Sequence, residues 1–179
     1  MPEASLYRRA LGGAYVGQSR AGQALHDAGP SQWTGRCTVD GADAASARFL
    51  AWLFRLPTAA ADAPITVEFA GADGGEIWTR RIGRRVMCSR QYLGARQRPG
   101  WIVEQFGGFA FDLELRAAEG RLVLVMRGMR CCGVPLPPAL WPRIAASESE
   151  EGGRFRFDVE IGLPLLGRLV RYRGWLTDR

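Results

Sequence analysis

This sequence has no lysine, a single histidine, and no apolar run near the roughly 18 residues that a membrane-spanning helix requires. Each absence excludes something. Without such a run, or a charged start leading into an apolar stretch, no transmembrane segment and no secretory leader are expected, and the chain reads as soluble and cytoplasmic. His26 stands alone, and Cys37, Cys88, Cys131 and Cys132 form no C-x-x-C pair. The spacing of a metal site is therefore missing, and the cysteines read as reduced, small apolar residues. No G-x-S-x-G elbow, H-E-x-x-H helix or catalytic carboxylate pair is present. "LGGAYVG" follows no strand, so it is no dinucleotide fingerprint, and the residues point to no cofactor. His26 is the one side chain that titrates near neutrality and is kept as a candidate polar site. The preferred reading is a structural histidine packed near Trp33, with no catalytic residue assigned and an enzyme of unknown reaction held as the lesser alternative.

What is present is enough for one packed domain over 1–179. The chain is 47% hydrophobic and 23% charged, and its 24 basic residues are all arginine, interleaved with 18 carboxylates for a net charge of +6. Arginine in every basic position reads as the coding bias of a GC-rich, bacterial genome. Nucleic-acid recognition needs cations gathered on one accessible face with aromatic platforms, and here they are scattered, so nucleic acid is not the expected partner.

Two short helical regions and a first strand fall within 1–57. Ser5 caps a helix that carries Leu6, Ala10, Leu11 and Ala14 at helical spacing before Gly17. "QWTGRCTV" alternates as a strand. "DAASARFLAWLFRLP" places Phe49, Leu50, Leu53, Phe54 and Leu56 on a broad apolar stripe, predicting a helix over 44–56 that lies on the sheet or plugs it. From 64 to 176 the pattern is of antiparallel hairpins.

Turn chemistry sets the hairpin registers. Asp73-Gly74 as a two-residue turn pairs Phe69 with Trp78, Val67 with Arg80 and Ile65 with Ile82. A three-residue turn at Gly83–Arg85 then pairs Ile82 with Val86, Arg80 with Cys88 and Trp78 with Arg90. Because successive strand residues alternate sides, Arg80 and Arg90 share a face with Phe69, Trp78, Cys88 and Tyr92, whereas Arg81 faces solvent. A charge on an apolar face needs compensation. Three arrangements supply it: the guanidinium snorkels to the rim, pairs with an internal carboxylate, or awaits an anionic ligand. Arg80, Arg90, Trp78, Tyr92, Phe69 and Cys88 are accordingly the candidate ligand-binding set.

Glu119-Gly120 as a second turn faces Asp112 with Arg127 on the outside and directs Phe111, Leu113, Leu115, Leu122 and Leu124 inward. "RFRFDVEI" sends Phe155, Phe157, Val159 and Ile161 inward, and "ASESEEGG" reads as a solvated acidic loop. "GVPLPPAL" and "GLPLLGRL" share a G-x-P-L pattern after a strand and predict apolar loops at one end of the sheet, closing the core in the preferred reading and touching a membrane in the other.

"LYRRALG", "LHDAG", "WTRRIG" and "GRFRFDVEIGLPLLGRLVRYRGWL" resemble an uncharacterised bacterial domain family that occurs alone or fused behind saccharopine-dehydrogenase-like, NAD(P)-binding domains. The resemblance covers nearly the whole chain and carries over no catalytic residue. It implies an NAD(P)-dependent dehydrogenase-like protein as a partner. The expected fold is α+β, mainly β: about 8–10 antiparallel strands in a meander, curved into a barrel or half-barrel with a packed helix, and a helix-grip arrangement as the alternative. The expected function is binding of an amphipathic carboxylate or lipid-like small molecule in an apolar cavity. The alternative is a non-catalytic interaction domain docking on the dehydrogenase-like partner.

Overall fold

The computed structural model describes residues 4–94 and 98–178. Strands β1 (Ser31–Gly41), β2 (Ala60–Ala72), β3 (Gly75–Ile82), β4 (Arg85–Tyr92), β5 (Trp101–Phe106), β6 (Phe109–Ala118), β7 (Arg121–Cys131), β8 (Val134–Pro135), β9 (Arg143–Glu151), β10 (Arg154–Leu163) and β11 (Gly167–Asp178) form one antiparallel sheet. Strands adjacent in sequence pair in space, except that β9 passes β8 to pair with β7, and β11 returns to β1. The result is a closed ten-stranded antiparallel barrel, with β8 only a short appendage to the end of β7. Closure removes the long unpaired edges that an open sheet exposes.

The β11–β1 seam depends on two glycines. Gly35 and Gly174 bring the strands so close that a Cβ on Gly35 would overlap the Trp175 carbonyl oxygen, and one on Gly174 the Arg36 carbonyl oxygen. No larger side chain fits there without parting the strands.

Helices occupy the two ends of the barrel. Helix α1 (Leu6–Leu11), capped by Ser5, buries Leu6, Tyr7, Ala10 and Leu11 and continues into a 3-10 turn over Gly12–Gly17. Helix α2 (Arg20–Asp27), which the sequence reading did not assign, is capped by the Ser19 hydroxyl accepting from the Gly22 amide at 3.0 Å. Together they close the end at which β1 begins. At the opposite end lies helix α3 (Ala45–Leu53), and its stripe is not buried against the sheet as expected. Ala47 alone is buried, while Phe49, Trp52, Leu53 and Phe54 are exposed. Phe54 reaches across to meet Phe109 edge-on at 6.2 Å between ring centres, so the segment after α3 overhangs the opening. Among the described residues no helix is long and apolar enough to cross a membrane.

Two registers departed from expectation. The β2–β3 pairing is as the Asp73-Gly74 turn dictates, with Val67 opposite Arg80 and Phe69 opposite Trp78. The β3–β4 turn, however, contains two residues rather than three: Gly83, at φ +55°, takes the first central position. Arg80 thus faces Met87, Trp78 faces Ser89, and Ile77 faces Arg90. Between β6 and β7 a bulge at Asp112/Leu113 shifts the pairing. Asp112 therefore pairs with Arg130 at 2.9 Å, not with Arg127, which turns to Glu114.

Candidate functional site

The inward faces of the strands enclose a cavity of about 580 Å³ that opens at the α3 end. Its walls are apolar: Ile65, Val67 and Phe69 from β2, Leu124 from β7, Phe157 and Val159 from β10, with Met87 and Phe111 completing the belt. The volume falls within the roughly 300–1,000 Å³ of small-molecule pockets. Arg55 and Leu56, after α3, and Leu140, after β8, border the opening.

A connected set of polar side chains lines the inner end. Glu104 projects inward from β5, and its Oε1 accepts from Arg80 Nη2 at 3.0 Å, Ser89 Oγ at 2.8 Å and Gln91 Nε2 at 3.1 Å. Arg80 Nη1 also donates to Ser89 Oγ at 2.8 Å, and its guanidinium carbon stands 4.8 Å from the centre of the Trp78 ring. Only 14% of the Arg80 side chain and 13% of the Glu104 side chain are exposed. Burial is the largest influence and works against the Arg80 charge, but Glu104, Tyr172 and Tyr7 together outweigh it and the guanidinium pKa is raised. Of the three compensations, the structure contains the internal carboxylate.

The network continues into the helices. Tyr7 on α1 donates its hydroxyl to Gln91 Oε1 at 2.9 Å, and its ring stacks on His26 of α2 at 3.6 Å between centres. Burial first, then Glu148, Glu104 and Glu76, pushes the Tyr7 pKa well above that of free tyrosine. Tyr172, on the same wall as Phe157, is pushed up to about 12, chiefly by burial. His26 Nε2 lies 2.8 Å from Glu148 Oε2, with the imidazole side chain fully covered. No hydrogen-bond partner meets His26 Nδ1 or Trp33 Nε1 among the described residues. The ring packs between Tyr7 and Trp78. Sealed there, it offers a substrate no approach unless α1 and α2 move.

The one-residue change in the β3–β4 turn divides the candidate set. Arg80, Trp78 and Phe69 meet on the inner face. Arg90 and Tyr92 share the outer face, where Arg90 donates to the Asp73 carbonyl at 2.6 Å and lies over the Tyr92 ring at 5.5 Å. Cys88 has the same parity as Arg90 and is exposed, reaching the cavity only at its margin. Ser89 and Gln91 take the inner positions that the expected register gave to Cys88, Arg90 and Tyr92, and both are buried.

Four polar residues of the site escaped the sequence reading. Ser89 and Gln91 were misplaced by the turn. Glu104 sits in "WIVEQF" on the same side as Ile102 and Phe106, a parity that signals an inward carboxylate. Glu148 belongs to "ASESEEGG", which is not an acidic loop: β9 runs through it, and alternation from Ile144 and Ala146 turns Glu148 inward.

A second depression, of about 680 Å³, lies on the outer wall between Arg36 and Glu151. Its charges are engaged within the protein, Arg36 with Asp62, Arg156 with Glu151, Arg173 with Asp40 and Asp158 with Arg171.

Residues 18–176 match the family model described as Domain of unknown function (DUF4166). The chain belongs to that family. A similar barrel occurs in the crystal structure of a protein of unknown function from the DUF3598 family of Nostoc punctiforme, at 7% identity and a TM-score of 0.50. The match covers 84% of this chain and 47% of that one, so the DUF4166 chain spans about half the length of its neighbour. The crystal structure of Rv2717c from M. tuberculosis matches at 13% identity and a TM-score of 0.49, over 90% of the DUF4166 chain and 99% of the other. No curated protein sequence matches. At such identities the Nostoc likeness concerns the fold of the DUF4166 domain alone.

Proposed function

We propose that the barrel is a binding module for an amphipathic, lipid-like small molecule. The observation that carries this reading is the cavity of about 580 Å³, apolar along its walls and open at one end. Filling it with an alkyl or fused-ring body removes apolar surface from water at about 25 cal/mol per Å². Arg80 is a poor anchor for a carboxylate, because Glu104 already neutralises it at 3.0 Å and a second anion there would face Glu104 and Glu148. The polar end of the ligand belongs at the mouth, where Arg55 borders the opening and is exposed. Arg80, Ser89 and Gln91 then form a rigid polar floor beneath the apolar body.

Docking of a dehydrogenase-like partner along a sheet edge finds no long free edge among the described residues, because the barrel closes. The test of the binding reading is native mass spectrometry of gently purified protein, followed by titration with a long-chain fatty acid. Added small-molecule mass and saturable binding are expected, both lost in Ala146→Trp, which places an indole in the cavity where Ala146 lines it. Absence of cargo together with absence of saturable uptake would overturn the proposal.

A further inference from the structure

The mouth of the barrel carries a second feature that the cavity does not require. Large apolar side chains stand exposed on four separate segments there: Phe49 and Trp52 on α3, Val86 at the start of β4, Val134 and Leu140 in the β7–β9 connection, and Leu165 between β10 and β11. Leu165 is fully exposed, and Trp52 is 62% exposed. The two G-x-P-L loops are thus at one end of the barrel, and their apolar side chains Val134, Leu140 and Leu165 stand exposed there, with Val86 and Leu140 also bordering the cavity. Apolar groups held outward by four chain segments around one opening make a surface that is matched by a plane more readily than by a single peptide.

Charge says which plane. The segments that form this end carry six arginines, Arg48, Arg55, Arg84, Arg85, Arg143 and Arg168, against one carboxylate, Asp43. The nearest acids on the outer wall, Asp40 and Asp62, are paired with Arg173 and Arg36. At the opposite end Asp27, Asp73, Glu119, Glu150 and Glu151 offset the arginines. An apolar rim inside a cationic collar is complementary to an anionic lipid bilayer, where the apolar tips enter the acyl boundary and the guanidiniums meet phosphate.

We propose that the open end of this barrel docks on an anionic lipid surface through Trp52, Leu140 and Leu165, with the surrounding arginines holding the headgroups. This goes beyond the cavity reading and does not depend on what the cavity contains. Docked in this way, the opening faces the bilayer, so a lipid-like molecule passes between membrane and cavity without crossing water.

The test is co-sedimentation with vesicles of phosphatidylcholine alone, and of phosphatidylcholine with about a third phosphatidylglycerol. Binding to the anionic vesicles is expected, weakening with salt, together with quenching of Trp52 fluorescence by brominated acyl chains that disappears in Trp52→Phe. Arg84→Gln and Arg85→Gln, both in the β3–β4 turn region, are each expected to weaken binding roughly fivefold. Leu165→Ser is also expected to weaken it, while Arg20→Gln at the closed end leaves it unchanged. Ala146→Trp leaves vesicle binding intact, so this proposal and the cavity reading fail separately. Failure to bind anionic vesicles, or binding that is equally sensitive to Arg20→Gln and to the mouth variants, overturns it.

Discussion

Glu104→Gln is the perturbation that bears most directly on the polar floor. Glu104 Oε1 accepts from Arg80, Ser89 and Gln91, so neutralising it leaves a guanidinium without its counter-charge in an apolar wall. Breaking a buried ion pair from one side costs about 3–5 kcal/mol. Since 14% of Arg80 and 13% of Glu104 still face the cavity, the lower end applies, about 3 kcal/mol, and the Trp78 ring at 4.8 Å offsets only about 0.5–2 kcal/mol of the wider range. For a chain of this size that is a fall in Tm of roughly 6–12 °C. Calorimetry and urea unfolding of Glu104→Gln, Arg80→Met and the double variant read the coupling directly. The double variant should recover most of the loss, because it removes both charges together. Arg90→Ala, on the outer face, should stay within about 0.5 kcal/mol of the parent. If Glu104→Gln were as stable as the parent, or the two single losses simply added, the floor would not be held by this pair.

Two further outcomes follow from burial and close approach. Tyr7, Tyr15 and Tyr172 have folded-state pKa values above the 10.0 of the free side chain, burial being the main cause in each. Their neutral forms therefore contribute stability that is complete below pH 10 and is lost as the pH rises through the folded-state values. An ultraviolet titration should show these phenols ionising together with the loss of circular dichroism; ionisation near pH 10 in an intact barrel would contradict the burial argument. Gly35→Ala drives a methyl group into the Trp175 carbonyl oxygen at the β1–β11 seam, whereas a Cβ at Gly71 meets nothing within 4 Å. The first should lose well over 2 kcal/mol in urea unfolding and the second less than about 0.5 kcal/mol. Equal stability of the two variants would refute the close approach.

Local chemistry made much of this protein legible from its residues. A two-residue Asp73-Gly74 turn and period-2 alternation dictate that Val67 meets Arg80 and Phe69 meets Trp78, because both pairs belong to one hairpin whose turn sets the register. The same alternation sends Phe155, Phe157, Val159 and Ile161 to the interior. A single residue in the Gly83-Arg84 turn was enough to exchange Arg90 and Cys88 for Ser89 and Gln91, since a change of one in a period of two inverts every side chain. Tertiary structure alone decided the rest. Arg80 and Glu104 lie on strands that are not neighbours, Tyr7 joins Gln91 across 84 residues, and His26 joins Glu148 across 122. Periodicity orients a side chain relative to its own strand; only closure of the barrel, at the Gly35 and Gly174 seam, decides which inward groups from remote strands converge. The exposure of the α3 stripe has the same origin, for an amphipathic pattern shows that a face is apolar, while the position of the helix at the mouth leaves that face uncovered.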